Sequence, residues 1–127
     1  MKRAEKFIEI EGLIENLLKK HKEGAMLRMK VLFFAKLYEN LSVGMIIDKL
    51  GIKKTNFALT TANLEKEGCI VIKKSTLDKR CRVIELTEKG NKELAQYENE
   101  IEKSLGATTP ELDQSLDVIL KYLNHII

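Results

Sequence analysis

The segment DKRCRVIELTEKG, from Asp78 to Gly90, decides how the rest of the chain is interpreted. Residues 82–86 form a short run rich in apolar and β-branched side chains, which predicts a strand. Residues 69–72 have the same character and predict a second strand, and the polar residues 73–80 between them predict a hairpin tip. Thr87 is a suitable N-cap for a helix. The segment therefore predicts a charged β-hairpin that leads directly into a helix.

Two short helices are predicted before this hairpin. Ser42 is a suitable N-cap for a helix over residues 43–50, and Gly51 ends that helix. A second helix is predicted over residues 54–67, and Gly68 ends it. Two short helices around a tight turn that contains glycine are typical of a helix-turn-helix. A hairpin immediately after the second helix is the wing of a winged helix.

Four further helices are predicted from apolar residues that recur every three or four positions. They cover residues 4–20, 25–38, 88–104 and 110–126, and Gly24 ends the first of them. All but the second lie outside the winged-helix unit, so their apolar stripes need another surface to pack on. One molecule of this size offers little such surface, and a second subunit is therefore the expected partner. The alternative is that these helices pack on their own winged helix.

The predicted fold class is mainly α (α+β), a winged helix-turn-helix with flanking N- and C-terminal dimerisation helices. We place the winged helix at residues 25–87 and the helical dimerisation region at residues 1–24 and 88–127. A length of 127 residues suits one domain with such an appendage.

The composition excludes several classes of protein. No apolar run reaches the roughly 18 residues that a membrane span needs, and glutamates interrupt the apolar residues near the N-terminus, so a cytoplasmic location is expected. Cys69 and Cys81 are too few for a disulfide framework or a metal site, and we expect free thiols, with Cys69 in the core. His21 and His125 have no ligand-like spacing and are expected at the surface. No catalytic motif is present, so neither an enzyme nor a cofactor is expected.

Basic residues are concentrated in the middle of the chain. Residues 49–82 contain nine basic and three acidic residues, a net charge of +6, whereas the rest of the chain carries −3. A basic centre between acidic ends is the pattern expected of a nucleic-acid-binding module flanked by other helices. The alternative is a lysine-rich solvated face.

Several stretches resemble the multiple-antibiotic-resistance regulator (MarR) family of bacterial and archaeal winged-helix regulators. They are residues 41–52, 63–70, 78–80 and 86–90. The stretch that begins at Asp78 resembles the family's wing motif, Asp-x-Arg followed by an apolar strand that ends in Leu-Thr-x-x-Gly. The resemblance covers about half of the chain in detail, and the order of the helices covers the rest.

The resemblance implies that the start of the 54–67 helix enters the major groove of DNA. The residues expected to contact DNA there are Lys53, Lys54, Thr55, Asn56 and Thr60. The amide of Asn56 is suited to adenine, and the lysines are suited to phosphate or guanine. For Thr55 and Asn56 the alternative is capping of the helix start. Leu59 stands where an arginine is common in the family, and the two threonines that follow replace the usual aliphatic residues.

The resemblance also implies that Arg80 reaches into the minor groove and that Asp78 orients it. A narrow, A·T-rich minor groove concentrates negative potential and attracts an inserted arginine. Four further basic residues are expected to contact phosphates, namely Lys73, Lys74, Lys79 and Arg82. The alternative for Asp78 and Arg80 is a plain surface ion pair.

The function that the resemblance implies is a sequence-specific, homodimeric transcriptional regulator, usually a repressor in this family, acting on pseudo-palindromic double-stranded DNA. A small-molecule effector is left open as a further partner, and no membrane partner is expected. The residues considered for an effector cleft are Phe7, Met26, Met29, Phe33 and Tyr38, although such a stripe is more often core. The alternative function is a winged-helix protein-interaction module with weak or no specific DNA binding.

Overall fold

The wing is a two-stranded antiparallel hairpin. The computed structural model describes residues 1–19 and 25–127, and in it β1 (Ile70–Lys74) pairs with β2 (Arg82–Leu86). The register places Ile72 opposite Ile84 and Lys74 opposite Arg82. The predicted bounds of β2 are confirmed.

The prediction that the hairpin tip begins at residue 73 is wrong. β1 starts one residue later than predicted and continues through Lys73 and Lys74, which pair with Val83 and Arg82. Charged side chains are compatible with a strand here because a two-stranded ribbon leaves much of its surface in solvent. The tip itself is therefore confined to residues 75–81.

The described residues also contain six helices. They are α1 (Arg3–Leu18), α2 (Ala25–Leu37), α3 (Val43–Leu50), α4 (Lys54–Lys66), α5 (Glu88–Leu105) and α6 (Pro110–Ile126). Their order and approximate bounds confirm the predicted helices. The predicted end of the first helix at Gly24 and the surface position of His21 lie outside the described residues.

The predicted caps hold the helix ends. Ser42 Oγ accepts a hydrogen bond from the Met45 backbone N–H at 3.2 Å, and Gly51 ends α3 in the left-handed region with φ 63°. Thr87 Oγ1 accepts from the Gly90 N–H at 3.1 Å and begins α5. The turn between α3 and α4 therefore has a backbone conformation that glycine adopts without strain.

The core lies where α2 packs against α3, α4, α5 and the wing. Val31, Leu32 and Ala35 of α2 are buried against Ile46 of α3 and Leu94 of α5. Phe57 and Leu64 of α4 and Ile70 and Ile84 of the wing complete the cluster, and Cys69 is buried there as expected. This core fixes α4 relative to the wing.

α1 and α6 bury no residue in the single chain. Their apolar side chains are largely in solvent, as Ile14 and Leu116 illustrate with exposed fractions of 48% each. The predicted stripes on these helices are therefore present but not covered by the chain's own winged helix. None of the helices in residues 1–19 and 25–127 is long and apolar enough to cross a membrane.

Candidate nucleic-acid interface

α4 presents its polar side to solvent because three residues anchor the other side. Phe57, Thr61 and Leu64 are buried, and they recur at the spacing of one helix face. The Thr61 hydroxyl donates to the carbonyl of Phe57 at 3.0 Å, so this polar group is satisfied in the core. The threonine that replaces an aliphatic residue is therefore tolerated.

The start of α4 is basic and open. Lys53 occupies the N-cap position, but its side chain does not cap the helix, and Lys54, Thr55 and Asn56 follow with exposed side chains. Thr55 and Asn56 lie inside the first turn and make no side-chain hydrogen bond to another described residue, so the alternative in which they cap α4 is wrong. Thr60 is half-buried, at the edge of the same surface.

The wing tip is organised around one buried serine. Ser75 Oγ accepts hydrogen bonds from the N–H groups of Leu77 at 3.2 Å and Asp78 at 3.3 Å. The Ser75 N–H donates to the carbonyl of Cys81 at 2.9 Å, which closes the tip. Sequence reasoning missed this residue, although a serine next to a turn is a recognised signal.

Asp78 holds Arg80 in a fork of hydrogen bonds. Arg80 Nε donates to Asp78 Oδ1 and Arg80 Nη2 to Oδ2, both at 3.2 Å, and the Arg80 backbone N–H donates to Oδ1 at 3.0 Å. These hydrogen bonds from Arg80, through its side chain first and its backbone second, lower the pKa of Asp78. The guanidinium nevertheless stays in solvent, with 90% of the Arg80 side chain exposed. The pair therefore orients a cation without covering it.

The other basic residues of the wing are not equivalent. Lys74, Lys79 and Arg82 are exposed. Lys73, in contrast, lies 2.9 Å from Glu85 on the paired strand. A phosphate that binds Lys73 must therefore compete with a neighbouring carboxylate.

Comparison with known proteins finds solved structures that are similar to this chain along nearly its whole length. No protein-family model and no curated protein matches the sequence. Among solved structures, wild-type apo MarR from E. coli is 14% identical with a TM-score of 0.74, and the match covers 97% of this chain and 96% of that chain. A MarR-like transcription regulator from Bacillus cereus is 20% identical with a TM-score of 0.64, over 98% and 95% of the two chains.

The chain has the MarR-like winged helix-turn-helix fold. A variant of S. aureus MepR, bound to an oligodeoxyribonucleotide, is a further match at 18% identity and a TM-score of 0.58, over 100% of this chain and 99% of that chain. At such low sequence identities these matches show the fold alone. For the fold, they confirm the resemblance to the MarR family that the sequence indicates.

In this MarR-like fold an ion-pair cluster connects α2, the end of α4 and α5. Arg28 Nη2 donates to Glu93 Oε1 at 2.8 Å and Arg28 Nε to Glu93 Oε2 at 3.2 Å. Arg28 also pairs with Glu67 directly after α4. The hydrogen bonds that Arg28 donates to Glu93 and Glu67 raise the pKa of Arg28, although its partial burial acts in the opposite direction. Sequence reasoning missed the cluster because its members are 39 and 65 residues apart and no local pattern links them.

A close backbone contact joins the wing to α5 in the same region. The hydroxyl of Thr87 donates to the carbonyl of Gly68 at 2.6 Å, while the Thr87 N–H donates to the carbonyl of Cys69 at 3.0 Å. A Cβ placed on Gly90 would lie 2.0 Å from the Cys69 carbonyl oxygen. Gly90 of the wing motif therefore permits a helix–strand approach that no other residue allows.

An open depression of about 540 Å³ lies beside the end of α2, lined by Phe33, Lys36, Leu37, Glu39, Asn40 and Glu98. Of the five residues considered for an effector cleft, Phe33 is the one that lines it. Tyr38 stacks on Phe34 and lies under Lys49 Nζ, 4.6 Å from the ring centre.

Both cysteines are free thiols, as expected, and burial raises the pKa of Cys69.

Proposed function

We propose that this chain is a DNA-binding transcription regulator that acts as a homodimer, with α4 in the major groove and the wing in the neighbouring minor groove. The observation that carries the proposal is Arg80, which is exposed at the wing tip and oriented by Asp78 through two side-chain hydrogen bonds. A MepR variant of the same fold is bound to an oligodeoxyribonucleotide, which supports DNA as the partner here. By its resemblance to the family it acts in the cytoplasm and represses transcription.

The basic side chains divide into two groups with different tasks. Those at the start of α4 and along the wing contact phosphates and set the position of the protein on the duplex. They are Lys53, Lys54, Lys73, Lys74, Lys79 and Arg82, and Lys73 exchanges Glu85 for phosphate on binding. Arg80 enters the minor groove, where a narrow A·T-rich segment concentrates negative potential.

Side chains of α4 contact base edges. Thr55 and Asn56 are exposed in the first turn and free of competing hydrogen bonds, so their polar groups are available to bases. Thr60, half-buried at the rim, makes a peripheral contact. The winged helix of residues 25–87 is thus the DNA-binding domain.

Dimerisation is assigned to residues 1–24 and 88–127. α1 and α6 bury no residue in the single chain, yet both carry apolar side chains at helical spacing. An equivalent surface on a second copy covers such a stripe through a two-fold interface. A two-fold dimer presents two copies of α4, and the DNA site is then a pseudo-palindrome with half-sites about 10 base pairs apart.

A second candidate function is a winged-helix protein-interaction module. The observation that favours it is Leu59, which is 66% exposed on α4 where an arginine is common in the family. A surface of this kind also fits an apolar protein partner. The two functions differ in whether the folded protein selects DNA sequences.

The test is selection from a pool of random duplexes at about 50 mM salt, where phosphate contacts are strong. We expect repeated selection to enrich a pseudo-palindrome with half-sites about one helical turn apart. Mass and circular dichroism measured on the same preparation show whether the protein is folded and dimeric. A folded dimer that leaves the pool unenriched would contradict the proposal and favour the interaction module.

A further inference from the structure

The buried face of α4 determines which of its residues lie on the outward face. At 100° per residue, Leu59 lies almost opposite the stripe of Phe57, Thr61 and Leu64 that enters the core. Thr55 and Ala62 lie on the same outward side, and all three are exposed. Asn56 and Asn63 both lie along one edge of this row, next to Leu59, with exposed amides. The face therefore consists of methyl groups bordered by two amides.

Charge is absent from the centre of this helix and present at its ends. Residues 55–63 contain no charged side chain, whereas Lys53 and Lys54 precede them and Lys66 follows. The surrounding segment, residues 49–82, has a net charge of +6. Such a surface attracts a polyanion through its rim and offers it an uncharged methyl and amide surface at the centre.

Base pairs differ in how well they match this surface. Adenine presents N7 and the N6 amino group, which pair bidentately with an asparagine amide, and thymine presents its C5 methyl, which contacts apolar side chains. Guanine is read most often by an arginine or lysine that pairs with O6 and N7. α4 contains no arginine, and its lysines lie at its two ends. The methyl and amide face thus matches A·T pairs.

We propose that α4 reads A·T base pairs in the major groove, with Leu59 packed against thymine methyl groups and the adjacent Asn56 and Asn63 amides paired with adenine. The proposal rests on the proposed DNA-binding function and names the sequence class that it selects. Leu59 is then the residue that determines specificity at the position where the resembling family commonly has arginine.

The experiment compares the selected duplex with the same duplex in which deoxyuridine replaces thymidine within the half-sites. This exchange removes only the C5 methyl groups. Burial of one methyl corresponds to about fourfold in affinity, so the loss of one contact in each half-site is expected to weaken binding of the dimer by roughly fifteenfold. Leu59→Ala should bind the thymidine duplex more weakly and lose most of the difference between the two duplexes.

The matched control is Leu37→Ala, because Leu37 is also an exposed leucine, at the end of α2 and outside both α4 and the wing. This variant should keep the full thymidine-to-deoxyuridine difference. Melting curves of both variants should match the wild type, since neither side chain is buried. Enriched half-sites rich in G·C, or a thymidine-to-deoxyuridine difference that Leu59→Ala leaves unchanged, would overturn this proposal while DNA binding stands. A wild-type protein that binds no duplex would overturn it together with the proposed function.

Discussion

Asp78 and Arg80 show how a weak surface contact can matter for function. An exposed ion pair contributes little to folding stability. However, Arg80 is tied to Asp78 through both its side chain and its backbone N–H, which restricts the directions in which the guanidinium points. Because those hydrogen bonds lower the pKa of Asp78, its carboxylate is charged at neutral pH, and the contact is lost only when the pH falls through that lowered pKa.

We therefore expect Asp78→Asn to weaken DNA binding several-fold, and by less than removal of Arg80 does. The asparagine keeps an oxygen for the Arg80 N–H but loses the charge that orients the guanidinium. The measurement is a fluorescence-anisotropy titration of the selected duplex, accompanied by a thermal melt. An affinity equal to that of the wild type would show that the pair is a plain surface contact.

Individual residues also show how far the sequence could predict the site. The motif around Arg80 predicted its fork with Asp78, because both partners lie within three positions on one turn. Ser75 was not predicted to be important, because its role depends on two backbone N–H groups that turn inward only when the hairpin closes. Arg28 and Glu93 carry no local signal at all, since the fold alone brings them together.

At the scale of elements, the junction between the wing and α5 is the most constrained part of the fold. Thr87 caps α5 and also donates to Gly68, so one side chain fixes both the helix start and the strand start. Gly90, one turn later, packs directly on the backbone of Cys69. A displacement of α5 is therefore transmitted to β1 and the wing.

Gly90→Ala should destabilise the protein by about 1–3 kcal/mol, because the added Cβ overlaps a backbone carbonyl that cannot move aside alone. The measurement is the free energy of unfolding from urea denaturation. Gly44→Ala is the matched control, since its Cβ would meet nothing closer than Ser42 Oγ at 4.0 Å and alanine favours helix. Equal stability of the two variants would contradict the close approach of α5 to β1.

The helices and strands were the easiest features to predict from the sequence, but their bounds were not equally predictable along the chain. Helix starts were predicted well where Ser42 and Thr87 cap through local hydrogen bonds. The start of the hairpin tip was placed too early because Lys73 and Lys74 are polar. Their strand pairing is decided by residues across the hairpin, which a local pattern does not contain.

The whole molecule combines a well-packed winged helix with two helices, α1 and α6, that bury no residue in the single chain. The core joins the winged helix to α5, whereas α1 and α6 expose most of their apolar residues. The sequence predicted these stripes from their periodicity. It also predicted a second subunit as the cover for them, and this stays a prediction because a contact between two chains is visible in one chain only as an unmatched apolar face.

Leu116→Glu should convert a dimer into a monomer, because Leu116 lies within the apolar stripe of α6 and a charge there is costly to bury. Light scattering after size exclusion should then give a mass near 14.5 kDa for the variant and about twice that value for the wild type. Gln114→Glu adds the same charge on the opposite side of α6 and should remain dimeric. A wild-type mass of one chain would contradict the assigned dimer helices.

DNA binding through the wing is the central claim, and one titration series tests it most directly. The affinities of the wild type, Arg80→Ala and Lys103→Ala for the selected duplex are measured by fluorescence anisotropy between about 50 and 200 mM salt. The wild-type affinity should fall by roughly a thousandfold or more across that range if six or more phosphate contacts form in the dimer. Arg80→Ala should bind at least about tenfold more weakly at each salt concentration, consistent with the loss of about 1.4 kcal/mol or more. Lys103→Ala, which removes an exposed cation near the end of α5, should match the wild type. An Arg80→Ala protein that binds as tightly as the wild type, or a wild-type affinity that does not respond to salt, would contradict the account.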